Sequence, residues 1–102
     1  MIVRVAPPEH YTWIAERARL AITPGFQAIE AVRDDGRIVG MVGFDAWTPN
    51  AVCLHQAVEH PAAGRYLLLP TFKAAFVDQD RGVVFGQVLS NNPRALALDL
   101  HL

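Results

Sequence analysis

One stretch of the chain constrains its fold more than any other. Residues 51–76, AVCLHQAVEHPAAGRYLLLPTFKAAF, read as a strand carried through a short turn into a long helix. In the first half Cys53, His55, Ala57 and Glu59 alternate with Val52, Leu54, Gln56 and Val58, so a strand here has one face more reactive than the other. His60-Pro61 ends the extended run, because proline biases the residue before it away from helical angles. Beyond the turn Leu68, Phe72, Ala75 and Phe76 recur at the spacing of one helical face. Pro70 falls inside that pattern, which predicts either a kink or a later helix start. A helix start leaves backbone N–H groups unpaired at the positive end of the macrodipole, so this turn is a natural place for an anion.

The remaining segments supply partners for that unit. Ile2 to Val5 is a brief first strand, stopped by Ala6-Pro7-Pro8. Tyr11, Ile14, Ala15 and Ala18 fall at helical spacing, with Glu9 in the first turn and Arg17 and Arg19 in the last, which predicts a helix over about 8–20. Pro24-Gly25 breaks it. Residues 26–33 are strand-like, and Asp35-Gly36 before the apolar run 38–44 signals a hairpin whose second strand is apolar on both faces. Gly40 and Gly43 in that strand admit a close neighbour or a bulge. Residues 45–50 turn the chain into the strand described first, with Trp47 expected to pack on the hairpin, the alternative being that it lines a substrate cleft. After the long helix, 83–89 reads as a further strand; strand, helix, strand in that length predicts a parallel pair. Asn91-Asn92-Pro93 then opens a last helix in which Ala95, Leu98 and Leu102 share a face. The expected class is α/β (α+β): a mixed, mostly antiparallel sheet with helices on both faces, in one domain spanning 1–102.

Composition narrows the function. Hydrophobic residues make up 52% of the chain and charged residues 19%, which excludes disorder. The net charge is -1 with basic residues scattered singly, so nucleic acid and anionic membranes are not expected partners. Cys53 is the single cysteine and no apolar run approaches the roughly 20 residues of a membrane span, so the expected setting is soluble, reducing and cytoplasmic. His55 and His60 lie an odd number of residues apart on the strand and so face opposite ways, while His10 and His101 have no spaced partner; a metal site is not expected, and Cys53 reads as inert core.

Three local patterns resemble the GNAT N-acyltransferases. Asp34 to Phe44, DDGRIVGMVGF, is similar to the hairpin that carries the family's second and third strands. Val58 to Pro61 followed by Ala63-Gly64-Arg65 and a Leu-rich helix is similar to the region of its pyrophosphate loop, with Gly64 and Arg65 retained from the motif. Asn91 to Leu102 resembles the family's N-x-x-A helix, with Asn92 and Ala95 at the matching positions. Gly43 to Asn50 also looks like small phage- or prophage-encoded members.

The resemblance implies an N-acetyltransferase that uses acetyl-CoA as co-substrate and an amine as acceptor. It implies that the donor binds along Gln56, Ala57 and Val58, at the bend Ala63, Gly64, Arg65 and Tyr66, and at Asn92. A neutral amine needs a proton acceptor, and His55 and Glu59, on one face of the strand, are the candidates. At about 3.3 Å per residue they are some 13 Å apart, too far for one hydrogen-bonded pair. The family's tyrosine acid falls on Asp99, so the leaving thiolate has no side-chain acid or relies on water. The family continues into further strands, which implies a truncated GNAT-like fold whose apolar edge strand is completed by a partner in a homo-oligomer, a dimer being the simplest. The alternative is a catalytically degenerate oligomeric module that binds or regulates.

Overall fold

The computed structural model describes residues 1–80 and 82–86. Its elements are β1 (Ile2–Val5), a 3-10 turn at Pro8–His10, α1 (Tyr11–Ala18), β2 (Gln27–Val32), β3 (Ile38–Asp45), β4 (Ala51–Val58), α2 (Pro61–Phe72), which continues as a π-helical segment at Lys73–Asp78, and β5 (Val83–Gly86). The strands form one sheet in the order β1-β2-β3-β4-β5, antiparallel except for the parallel pair β4–β5. This is the mixed, mostly antiparallel architecture expected from the hairpin signal and the strand–helix–strand unit. The rest of the expected last strand (87–89) and the last helix (91–102), with Asn92 and Asp99, lie outside the described residues.

The two helices cover opposite faces because the strands offer an apolar set to each. On one face Ile29, Ala31, Val42, Phe44 and Val52 pack against Ala63 and Leu67 of α2. On the other, Ala6, Phe26, Ala28 and Met41 pack against Ile14 of α1. Ile14, Leu67 and Val52 are fully buried, each worth about 1.5–3 kcal/mol relative to exposure. Gly40 brings α2 close to the sheet: a Cβ there would stand 2.9 Å from the Ala63 Cβ and 3.0 Å from Leu67 Cδ1. The bulge expected near the glycines is present too. Ala31 pairs with Gly40 and Val32 with Ile38, so Val39 is the additional residue.

Two local features depart from the sequence reading, and a third, at Glu30, lies beyond it. α1 stops at Ala18, where Arg19 turns left-handed (φ 54°) and donates its N–H to the Ala15 carbonyl. Pro70 neither ends α2 nor delays its start; the helix begins at Pro61, passes through Pro70 and widens into the π-helical segment from Lys73. The missing proline N–H loosens the ladder there, which accounts for a wider turn downstream. Glu30, in the middle of β2, is fully buried, and its carboxylate accepts from Arg4 Nε and pairs with His10 Nδ1, each at 2.8 Å. Two partners make that burial tolerable.

Candidate functional site

The sequence reading put Asp45 in a turn, but β3 runs through it, and the hairpin register decides what it meets. Asp45 pairs across the sheet with Cys53 and Gly43 pairs with His55, so all three polar side chains share one face of the β3–β4 pair. That face is the one α1 covers, since Met41 pairs with Ala57 and packs beneath Ile14. His55 Nε2 and Asp45 Oδ1 are 2.8 Å apart, and the side chains are only 12% and 13% exposed. With Nε2–H donated to the carboxylate, Nδ1 carries the free lone pair. Burial raises the Cys53 thiol pKa and the Asp45 carboxylate raises it further, so the thiol keeps its proton. Sulfur, imidazole nitrogen and carboxylate oxygen lie within 4.8 Å of one another. The sequence reading weighed His55 against His60 and Cys53 by itself; the residue it missed was Asp45, and the signal was the β3–β4 register.

Glu59, the other candidate base, sits just past β4 and is already engaged. Its Oε1 accepts from Arg17 of α1 at 2.8 Å, and its Oε2 accepts from Arg37 of the β2–β3 turn at 2.9 Å. Hydrogen bonds from Arg17 and then Arg37 hold its pKa below the ordinary carboxylate value. A lowered pKa makes a carboxylate a poorer proton acceptor. Arg17 also lies over the Trp13 ring at 3.9 Å and donates to the Trp13 carbonyl, so Glu59 clasps α1, the hairpin turn and the end of β4 together.

The start of α2 departs from the expected open anion cradle. His60 is the N-cap, and its Nδ1 accepts the Ala62 N–H at 3.1 Å. The Ala63 N–H goes to the His60 carbonyl at 2.9 Å, and the Ala63 side chain is buried in the core. The expectation of a free amide at Ala63 is corrected accordingly: only Glu59 and His60 separate β4 from α2, and so short a connection lets the cap close on its own helix. Gly64, Arg65 and Tyr66 remain on the outer side of the first turns, with Arg65 exposed and in no ion pair among the described residues. Gln56 reaches across to this turn, its Nε2 standing 3.8 Å from where a Gly64 Cβ would be.

Among the described residues β4 pairs with β5 over Ala51 to Leu54. The rungs run from Ala51–Val83 to Leu54–Gly86. Gln56, Ala57 and Val58 form the last residues of β4, whereas His55 and Glu59 are brought to separate partners. Trp47 packs as expected of a turn residue, its ring stacked on Phe44 at 6.1 Å and its Nε1–H donated to the Gly25 carbonyl.

This arrangement of strands and helices matches a GNAT-like fold. The spermidine/spermine N-acetyltransferase SpeG from Vibrio cholerae superposes with a TM-score of 0.74 at 10% identity, over 98% of this chain and 75% of that one. PseH, an N-acetyltransferase from Campylobacter jejuni solved in complex with acetyl coenzyme A, gives 0.66 at 18% identity, over 91% of this chain and 64% of that one. A mutant form of the BH1408 protein from Bacillus halodurans gives 0.65 at 13% identity, over 100% and 93%. At these identities the likeness is one of fold. No family model matches the sequence, and no curated protein matches it.

Proposed function

We propose that this chain is an N-acetyltransferase that moves an acetyl group from acetyl-CoA to an amine by direct attack in a ternary complex. The observation that carries the reading is the His55–Asp45 pair, 2.8 Å apart across the β3–β4 hairpin. The fold is shared with N-acetyltransferases, one of them holding acetyl coenzyme A and another named for spermidine and spermine, which supports this donor and an amine acceptor.

The amine nitrogen attacks the thioester carbonyl carbon, the C–N bond forms and the C–S bond breaks. The amine's proton goes to the free ring nitrogen of His55, which Asp45 orients, and the departing thiolate takes a proton from solvent. Holding both reactants together supplies much of the rate. The thioester arm lies along Gln56, Ala57 and Val58, where a strand N–H supports the developing oxyanion. The diphosphate sits against Gly64, Arg65 and Tyr66, with the Arg65 guanidinium as its cation, and His60 swings away from the Ala62 N–H to admit it. Glu59 positions α1 rather than accepting the proton, and Asn92 completes the donor site as the resemblance implies. A cytoplasmic setting goes with this reading, since Cys53 is a free thiol.

The test is release of coenzyme A thiol from acetyl-CoA, in chelator-treated buffer, over a panel of polyamines and peptide amines. Wild type is expected to turn over at least one class, and His55→Ala to lower the rate by about 10²- to 10⁴-fold, the usual contribution of a general base. No release above the buffer rate with any amine overturns the enzyme reading; release unchanged by His55→Ala overturns the assignment of the base. A second reading, a non-catalytic module of the same fold that binds or regulates, is favoured by one observation: the Ala62 and Ala63 amides are already bonded to His60. It predicts that His60→Ala leaves acetyl-CoA binding absent, whereas the enzyme reading predicts that freeing the Ala62 amide tightens it.

A further inference from the structure

We propose that Asp45, Cys53 and His55 form a binding site for a borderline-soft divalent cation such as zinc, with three protein ligands and a position left to water. Cys53 and His55 are two apart on β4, so their side chains leave the same face, and Asp45 is the cross-strand partner of Cys53. The donor atoms lie within 4.8 Å of one another. Around a tetrahedral zinc with bonds of about 2.0–2.3 Å, such atoms stand roughly 3.3–3.6 Å apart, so the cluster needs only side-chain adjustments of well under a residue's reach. The present 2.8 Å between His55 Nε2 and Asp45 Oδ1 is a proton's spacing, and a cation in place of that proton widens it by about half an ångström.

The donor set selects the ion. One sulfur, one imidazole nitrogen and one carboxylate oxygen suit zinc or cobalt, whereas magnesium and calcium require oxygen ligands. The strands hold the ligands on a rigid hairpin, and the partial exposure of His55 and Asp45 gives the ion a way in. Binding displaces the thiol proton of Cys53 to solvent and moves the imidazole proton from Nε2 to Nδ1, leaving a thiolate, a neutral imidazole and a carboxylate around the ion. Occupancy uses the imidazole and carboxylate that the acyl-transfer reading assigns to the proton acceptor, so on that reading zinc inhibits transfer. The binding itself does not depend on that reading.

The experiment is titration of the metal-free full chain with cobalt(II), followed by absorption and without thioester or amine. The expected result is saturation at one ion per chain with a thiolate-to-cobalt charge-transfer band, displaced by zinc. Cys53→Ser abolishes the band, and Asp45→Asn and His55→Ala weaken binding at least 10-fold, each variant being checked for wild-type circular dichroism. Absence of the band in wild type overturns the proposal, as does a band that survives in Cys53→Ser. Should Cys53→Ser not fold, unchanged affinity in folded Asp45→Asn and His55→Ala overturns it instead. A cobalt band in a chain with no transferase activity leaves the site standing and removes the enzyme reading; activity without the band does the reverse.

Discussion

Asp45, His55 and Glu59 divide the polar work at the end of β4, and the division follows from what each side chain touches. His55 meets a carboxylate at Nε2, and in the tautomer that donates there Nδ1 keeps a lone pair, while Glu59 has both oxygens occupied by guanidinium groups. Asp45→Asn keeps the shape but removes the charge that orients the imidazole, and is expected to lower the transfer rate in the same direction as His55→Ala and by less. Steady-state kinetics of the two variants checks this; a slower Asp45→Asn than His55→Ala contradicts the orienting role. Glu59 makes a different prediction. Hydrogen bonds from Arg17 and Arg37 lower its folded-state pKa, so the unfolded chain binds more protons in the carboxylate range. Its contribution to stability is complete above the unfolded value of about 4.3 and is lost as pH falls through the folded value. Melting curves of wild type and Glu59→Gln should therefore be separated at neutral pH and converge in acid. A gap that stays constant down to the folded-state value contradicts this account.

At the scale of elements, two contacts set how α2 lies on the sheet. Gly40 leaves room for Ala63 and Leu67, so Gly40→Ala overpacks the interface and is expected to destabilise by about 1–3 kcal/mol. Thermal unfolding measures this, and an unchanged melting temperature contradicts the close approach. Thr71, on the buried side of α2, has a hydroxyl with no hydrogen-bond partner among the described residues. Thr71→Val keeps the volume and removes the unsatisfied group, so it should stabilise by about 1 kcal/mol, equivalent to roughly 4–8 °C in Tm for a chain of this size. A lower Tm contradicts that reading of Thr71. What was legible at this scale was whatever the chain encodes locally. Asp35-Gly36 specifies its turn within a few residues, and the alternation in β4 correctly put Cys53 and His55 on one face. The Asp45–His55 contact was not legible, because it depends on register across the β3–β4 connection. The buried Glu30 reads in sequence as an ordinary strand carboxylate, since its partners Arg4 and His10 come from 26 and 20 residues away. The His60 cap was hidden for a simpler reason: a histidine before proline signals a helix start without saying which way its ring turns.

For the whole molecule, the sheet order and the helices on both faces define the fold, and no described helix is long and apolar enough to cross a membrane. Apolar side chains remain on the outside, with Leu69, Phe76 and Val77 exposed along α2 and the π-helical segment and Phe72 stacked on Phe76 at 5.8 Å. We infer that the chain self-associates. Light scattering is expected to give a dimer, and a monodisperse monomer at micromolar concentration contradicts it. The central claim, however, is that β4 and the start of α2 receive acetyl-CoA. Thermal stabilisation by acetyl-CoA, compared with desulfo-coenzyme A and adenosine diphosphate in chelator-treated buffer, tests it most directly. The account predicts a rise in Tm with acetyl-CoA that grows with ligand concentration, a smaller rise with desulfo-coenzyme A, and the smallest with the diphosphate. No shift with any of the three would contradict it.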